Sequence, residues 1–107
     1  MSPIQDLTPT QVAEGLANGT ILLVDVREPH ELAMARIPGD VVNLPLSTFN
    51  PADIPDPGTR RVVFTCAAGM RSQRAAEIAQ GHGLPYDSHL AGGLKAWAMD
   101  GYDIERG

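Results

Sequence analysis

The run Val62-Val-Phe-Thr65 admits few folds. Its β-favouring residues lack polar alternation, which describes a strand covered on both faces, and such strands belong to parallel sheets flanked by helices. Cys66, the only cysteine, closes the run. Ala67, Ala68, Gly69 and Met70 follow, with little side chain to shield backbone N–H groups from a ligand. From Arg71 to Gln80 the residues are good helix formers; Ser72 is read as the N-cap and Gly81 with Gly83 as the stop.

The rest of the chain repeats this alternation. Thr8-Pro-Thr-Gln11 is a helix start with cap, proline and capping-box glutamine, Leu7 and Val12 stand at staple positions, and Asn18-Gly19 ends the helix. A short strand near Ile4 precedes it. Ile21–Val24 is a buried strand with Asp25 at its carboxyl end. Glu28-Pro29 opens a helix to about Ala35, and Val41–Leu44 forms another strand. Prolines 45, 51, 55 and 57 mark the loosest stretch, with one helical turn near Ser47–Phe49. Tyr86–Leu90 reads as a strand with an exposed face, because of Asp87 and Ser88. A last helix runs from about Leu94 to Asp100, with Leu94, Trp97 and Ala98 toward the core.

Strands and helices alternating at this spacing predict an α/β domain with a mainly parallel sheet, where ligands bind beyond the carboxyl ends of strands. The loops holding Asp25–Glu28, Cys66–Arg71 and Ala91–Gly93 each follow a strand, so parallel strands bring them to one edge. A chain of 107 residues suits a single domain over 1–107. One cysteine excludes an internal disulfide, the amino-terminal residues lack a signal-peptide pattern, and the expectation is a cytoplasmic protein. Net charge is −5, with one lysine among eight basic residues, which argues against nucleic acid and against a membrane surface as partners. His30, His82 and His89 lack zinc-ligand spacing, so neither metal nor cofactor is expected. Gly81-His-Gly83 follows a helix instead of opening one, and is no dinucleotide fingerprint.

A thiol at the positive end of a helix, ringed by amide donors, should ionise below the free value of about 8.5. Arg71 adds a guanidinium fork for an oxyanion. The competing reading is a small buried cysteine that ends a core strand. A lone thiolate with no adjacent base suits sulfur transfer, since sulfite leaves as a stable anion whereas the amine of a protease substrate needs a proton. That chemistry requires the sulfur to be charged, reachable and encircled by peptide N–H groups.

Cys66-Ala-Ala-Gly-Met-Arg71-Ser72 resembles the active-site loop of the rhodanese family of sulfurtransferases. Asp25-Val-Arg-Glu28 and Gly92-Gly-Leu-Lys-Ala-Trp97 resemble that family's other signatures, in the same order. The likeness runs from about Thr8 to Tyr102. It implies a central five-stranded sheet with helices on both faces, and a ping-pong reaction. Cys66 takes the outer sulfur of thiosulfate or a persulfide, and cyanide, a thiol or a protein acceptor then removes it. In that scheme Ala67, Ala68, Gly69, Met70 and Arg71 bind the donor, Arg71 on its sulfonate. Arg27 either assists with the anion, with Asp25 orienting an arginine, or the two form a surface ion pair. The chain departs from the family at Ala35-Arg36, where Gly-His is usual. Two other readings stand beside catalysis: a persulfide carrier or protein-interaction module, and a cysteine-dependent phosphatase or arsenate reductase. The phosphatase loop carries five residues between cysteine and arginine, against four here, so the shorter ring fits a sulfur-bound group better.

Overall fold

A computed structural model describes residues 3–106. In chain order it contains β1 (Gln5–Leu7), α1 (Pro9–Asn18), β2 (Ile21–Asp25), α2 (Pro29–Met34), β3 (Val42–Asn43), β4 (Arg61–Thr65), α3 (Met70–Gly81), β5 (Ser88–Leu90) and α4 (Gly93–Met99). All five strands are parallel, in the order β1-β5-β4-β2-β3, as the alternating pattern and the family resemblance imply. β4 is central, with Val24 in register with Phe64 and Asp25 with Thr65 on one side, and Phe64 opposite His89 on the other.

The period of two along β2 and β4 divides the core between the faces of the sheet. Leu22, Val24, Val62 and Phe64 point to one face with Cys66, against Ala75, Ala76 and Ala79 of α3. These alanines let the helix backbone lie close to the strands. Leu23 and Val63 point to the other face, where Val12 of α1, Leu90 and Trp97 of α4 complete a second cluster. Phe64 and Leu23 are fully enclosed, each burial contributing about 1.5–3 kcal/mol. The proline-rich stretch is tied down by the Phe49 ring, edge-on to Phe64 at 5.8 Å between centroids.

Several local expectations hold. Thr8 caps α1, its hydroxyl accepting from the Gln11 N–H while the Gln11 side chain accepts from the Thr8 N–H, and Gly19 at φ 75° closes the helix. Others are corrected. α3 begins at Met70 with Gly69 at its cap, so Ser72 is the third helical residue and not the N-cap. β5 has no exposed face, because α3 packs against one side of it and Leu90 joins the Leu23, Val63 and Trp97 cluster on the other; Ser88 is satisfied by the Arg61 Nε–H at 2.8 Å. Ala98 is exposed, since only the Gly93, Leu94 and Trp97 side of the short α4 meets the sheet. The proline-rich stretch holds two 3-10 turns, Leu46–Thr48 and Pro51–Asp53, the second capped by the Asn50 side chain. Among the described residues no helix is long and apolar enough to cross a membrane.

Candidate active site

Parallel strands bring the loops after β2, β4 and β5 to one edge of the sheet, with Cys66 at the tip of the central strand. Its Sγ accepts hydrogen bonds from the backbone N–H of Gly69 at 3.0 Å and of Ser72 at 3.3 Å. The Ser72 hydroxyl stands 3.5 Å away. Gly69, at φ 103°, turns the loop sharply into α3 and brings no capping side chain; the sulfur takes an N–H of the first helical turn instead. Burial pushes the thiol up. The Ser72 hydroxyl and the N–H groups of Ser72, Gly69 and Ala68 outweigh it, and Cys66 falls below its ordinary 9.0. The ring of peptide hydrogens is therefore present, although its donors are Ala68, Gly69 and Ser72. An openly reachable sulfur is not: Cys66 is 1% exposed.

The loop is held from outside by α4. The Leu94 and Lys95 N–H groups donate to the carbonyls of Cys66 and Ala67 at 2.8 and 3.0 Å. A planar trans peptide points its N–H opposite to its C=O, so fixing the Ala67 carbonyl on α4 turns the Ala68 N–H toward the sulfur. Gly93 makes this approach feasible. A Cβ there would lie 2.3 Å from the Cys66 carbonyl oxygen, and its φ of +56° disfavours any side chain. The glycine pair thus sets tight packing and peptide orientation together.

Arg71 is not aimed solely at the loop. Its guanidinium donates to both carboxylate oxygens of Glu31 on α2, at 2.7 and 2.9 Å. Two of its five N–H donors are so used, which leaves three for another oxyanion. The Arg71 hydrogen bond, set against partial burial, holds the Glu31 carboxyl at about 2 instead of 4.5, helped by the Glu28 N–H and by the charges of Arg71 and Arg27. Arg71 in turn is raised above its ordinary value, first by that hydrogen bond, then against burial by the charges of Glu31, Cys66 and Asp25. The thiolate and this guanidinium therefore share one field.

Asp25 and Arg27 form a pair, but not a surface one: they are 2% and 3% exposed. The Arg27 Nε–H donates to both carboxylate oxygens at 3.2 Å, and Nη2 to Asp25 at 3.0 Å and to the Ala35 carbonyl at 2.9 Å. The Asn43 side chain donates to the carbonyls of both residues. Asp25 orients Arg27, and the pair clamps the loop after β2 to the end of α2. Arg36, at the departure from the family pattern, pairs with Glu105 at the surface.

Three residues of this edge escape a sequence reading: Glu31, His89 and Asp6. His89 Nδ1 lies 2.8 Å from Ser72 Oγ, and Nε2 lies 2.7 Å from the Asp6 carboxylate. Glu31 had one signal, standing three residues after Glu28-Pro29 where an acid closes a capping box. For His89 the signal is a histidine inside a buried run, where burial demands partners. Beside the loop opens a cavity of about 250 Å³, lined by Asp6, Gly69, Met70, Gln73, His89 and Gly92 among others. Larger hollows of about 320 and 390 Å³ surround Arg61 at the amino ends of the strands, away from the thiol.

Comparison with known proteins accords with this geometry. Residues 8–100 match the rhodanese-like domain family. A sulfurtransferase of Allochromatium vinosum is 37% identical over 84 residues, covering 78% of each chain. An uncharacterized protein of Synechocystis is 34% identical over 95 residues, which span 89% of this chain but only 52% of that protein. The crystal structure of a rhodanese-related protein from Thermoplasma volcanium superposes with a TM-score of 0.79 at 26% identity, over 94% of this chain and 97% of the other. The chain belongs to the rhodanese-like domain family.

Proposed function

We propose that this domain is a sulfurtransferase that carries sulfane sulfur as a persulfide on Cys66. The observation that carries the reading is the pair of peptide N–H groups, from Gly69 and Ser72, on a buried Sγ at 3.0 and 3.3 Å. Hydrogen bonds that hold a thiolate in a site sealed from bulk water both supply a nucleophile and shelter the product. The thiolate attacks the outer sulfur of thiosulfate; the new Sγ–S bond forms as the S–S bond breaks, and its electron pair leaves with sulfite. An acceptor thiol or cyanide then takes the outer sulfur and returns Cys66 as thiolate. Arg71, braced by Glu31, supplies its remaining donors to the anionic donor. Since Cys66 is 1% exposed, loading requires the Ala67–Gly69 segment or the Cys66 side chain to shift.

Intact mass after thiosulfate treatment tests this directly. Wild type should gain one sulfur, about 32 Da, and Cys66→Ser none. A wild type whose mass never changes with any sulfane donor ends the reading. Arg71→Ala should raise the thiosulfate KM several-fold while lowering stability by no more than about 1 kcal/mol, the loss expected from the Glu31 pair alone. The enclosure of Cys66 also favours a second reading, a persulfide carrier, because a sealed persulfide persists. Loading from a protein persulfide much faster than from thiosulfate would select it.

A further inference from the structure

Between Cys66 and solvent runs an unbroken line of polar side chains drawn from three elements. Cys66 Sγ is 3.5 Å from Ser72 Oγ, Ser72 Oγ is 2.8 Å from His89 Nδ1, and His89 Nε2 is 2.7 Å from Asp6 Oδ1. Ser72 and His89 are 0% and 4% exposed, whereas the Asp6 side chain is 72% exposed. Among the described residues the titratable partner of His89 is Asp6 on β1; from α3 it meets the Ser72 hydroxyl, which stands between it and Cys66. The carboxylate decides the tautomer, since Asp6 can only accept and Nε2 must carry the hydrogen. Nδ1 of a neutral His89 is then an acceptor, and the Ser72 hydroxyl donates to it in preference to the Gly69 carbonyl at 3.1 Å. The Ser72 oxygen is left to accept the Cys66 S–H.

We propose that Asp6, His89 and Ser72 form a proton relay to Cys66, which suits the site to persulfides of small thiols as donors and to thiols as acceptors. The proposal deepens the sulfur-transfer reading and rests on it. In one state the chain is Cys66–SH, Ser72–OH, neutral His89 and Asp6 carboxylate. Moving the thiol hydrogen to Ser72, and the Ser72 hydrogen to His89 Nδ1, gives Cys66 thiolate beside an imidazolium that is paired with Asp6. The thiolate attacks the outer sulfur of R–S–SH, the Sγ–S bond forms and the R–S bond to sulfur breaks. The electron pair goes to R–S⁻, which takes the proton from His89 and leaves as R–SH. An acceptor thiol runs the sequence backward: it yields its proton to His89, attacks the outer sulfur and releases Cys66 thiolate.

Sulfite needs no such proton, whereas a thiolate with a pKa of about 8.5 leaves more slowly and gains from protonation as it departs. The cavity agrees with that preference. Among the described residues its ionisable lining groups are Asp6 and His89, and the Asp6 carboxylate is ill placed for a doubly charged donor. Met70, 84% exposed, and Gln73 offer an apolar and an amide surface to the carbon skeleton of a small thiol.

The test measures kcat/KM for loading Cys66 from 2-hydroxyethyl persulfide and from thiosulfate, in H₂O and D₂O, for wild type, His89→Gln, Ser72→Ala and Asp6→Asn. In His89→Gln the persulfide-to-thiosulfate ratio should fall by about 10², the lower range of general acid–base effects. The solvent isotope effect on the persulfide reaction should fall with it. Asp6→Asn changes an exposed side chain and should lower the same ratio less, which keeps the test alive if His89→Gln fails to fold. Equal losses with both donors, or a ratio that does not move in Asp6→Asn and Ser72→Ala, would make the line structural and overturn the relay alone. A wild type that accepts sulfur from neither donor would overturn the sulfur-transfer reading, and the relay with it.

Discussion

Glu31 on α2 grips Arg71 on α3 through hydrogen bonds of 2.7 and 2.9 Å, so the residue proposed to meet an anion is already shared with a carboxylate. The clamp fixes the fork of the guanidinium without exhausting its donors. It also ties α2 to the start of the helix that faces the thiol.

This pair sets an acid sensitivity. The Glu31 carboxyl titrates near 2 in the folded protein against an ordinary 4.5. A depressed carboxyl stabilises fully above its unfolded value and loses that contribution as pH falls through its folded one. Urea midpoints of wild type should therefore decline more steeply than those of Glu31→Gln between pH 4.5 and about 2. At neutral pH the variant should be less stable by about 1 kcal/mol, a figure reduced for partial exposure of the pair. Parallel curves would detach the pair from stability.

The lowered Cys66 pKa has its own readout. Alkylation by iodoacetamide, followed against pH, should reach half-maximum below the free-thiol value of about 8.5, with a slow plateau because the sulfur is 1% exposed. Ser72→Ala removes the strongest of the lowering contacts and should move the midpoint upward. A wild-type midpoint at or above that of a free thiol, about 8.5, would contradict activation.

Gly93→Ala should be costly and should act at a distance from its own helix. The added methyl meets the Cys66 carbonyl at 2.3 Å in a left-handed backbone, so a loss of about 1–3 kcal/mol is expected. Because relief requires the Cys66 peptide to move, alkylation kinetics should change along with the unfolding midpoint. A destabilised variant with unaltered thiol reactivity would show that α4 does not orient the loop.

Arg27→Met leaves the Asp25 carboxylate buried without its partner, and should destabilise by about 3–5 kcal/mol in chemical unfolding. Arg27→Met with Asp25→Leu should recover part of that loss. If Arg27→Met instead folds normally and only raises the donor KM, the pair belongs to binding and not to the frame.

The parallel sheet was legible because Val62–Thr65 and Ile21–Val24 are unbroken apolar strands separated by capped helices, and local pattern fixes such elements. Cys66 and its ring of amides were legible for the same reason, since a strand followed by glycine and small residues leads directly into a helix N-terminus. The partners of that thiol were not. Asp6 and His89 are 83 positions apart and meet only because β1 pairs with β5, an order that periodicity does not encode. Asp87 and Ser88 read as an exposed face because the sequence does not show that α3 and the second core cluster cover both sides of β5. Arg71 shows the converse limit: its position in the motif was plain, its engagement with Glu31 depended on where α2 lands.

The carbonyls of Cys66 and Ala67 rest on amides of Leu94 and Lys95, in the last helix of the domain. During synthesis, then, the thiol exists well before its peptides are locked in place. A nascent chain from which α4 has yet to emerge carries the cysteine without the two amides that hold its loop carbonyls, so the geometry of that loop is completed only when the ribosome has delivered the last helix.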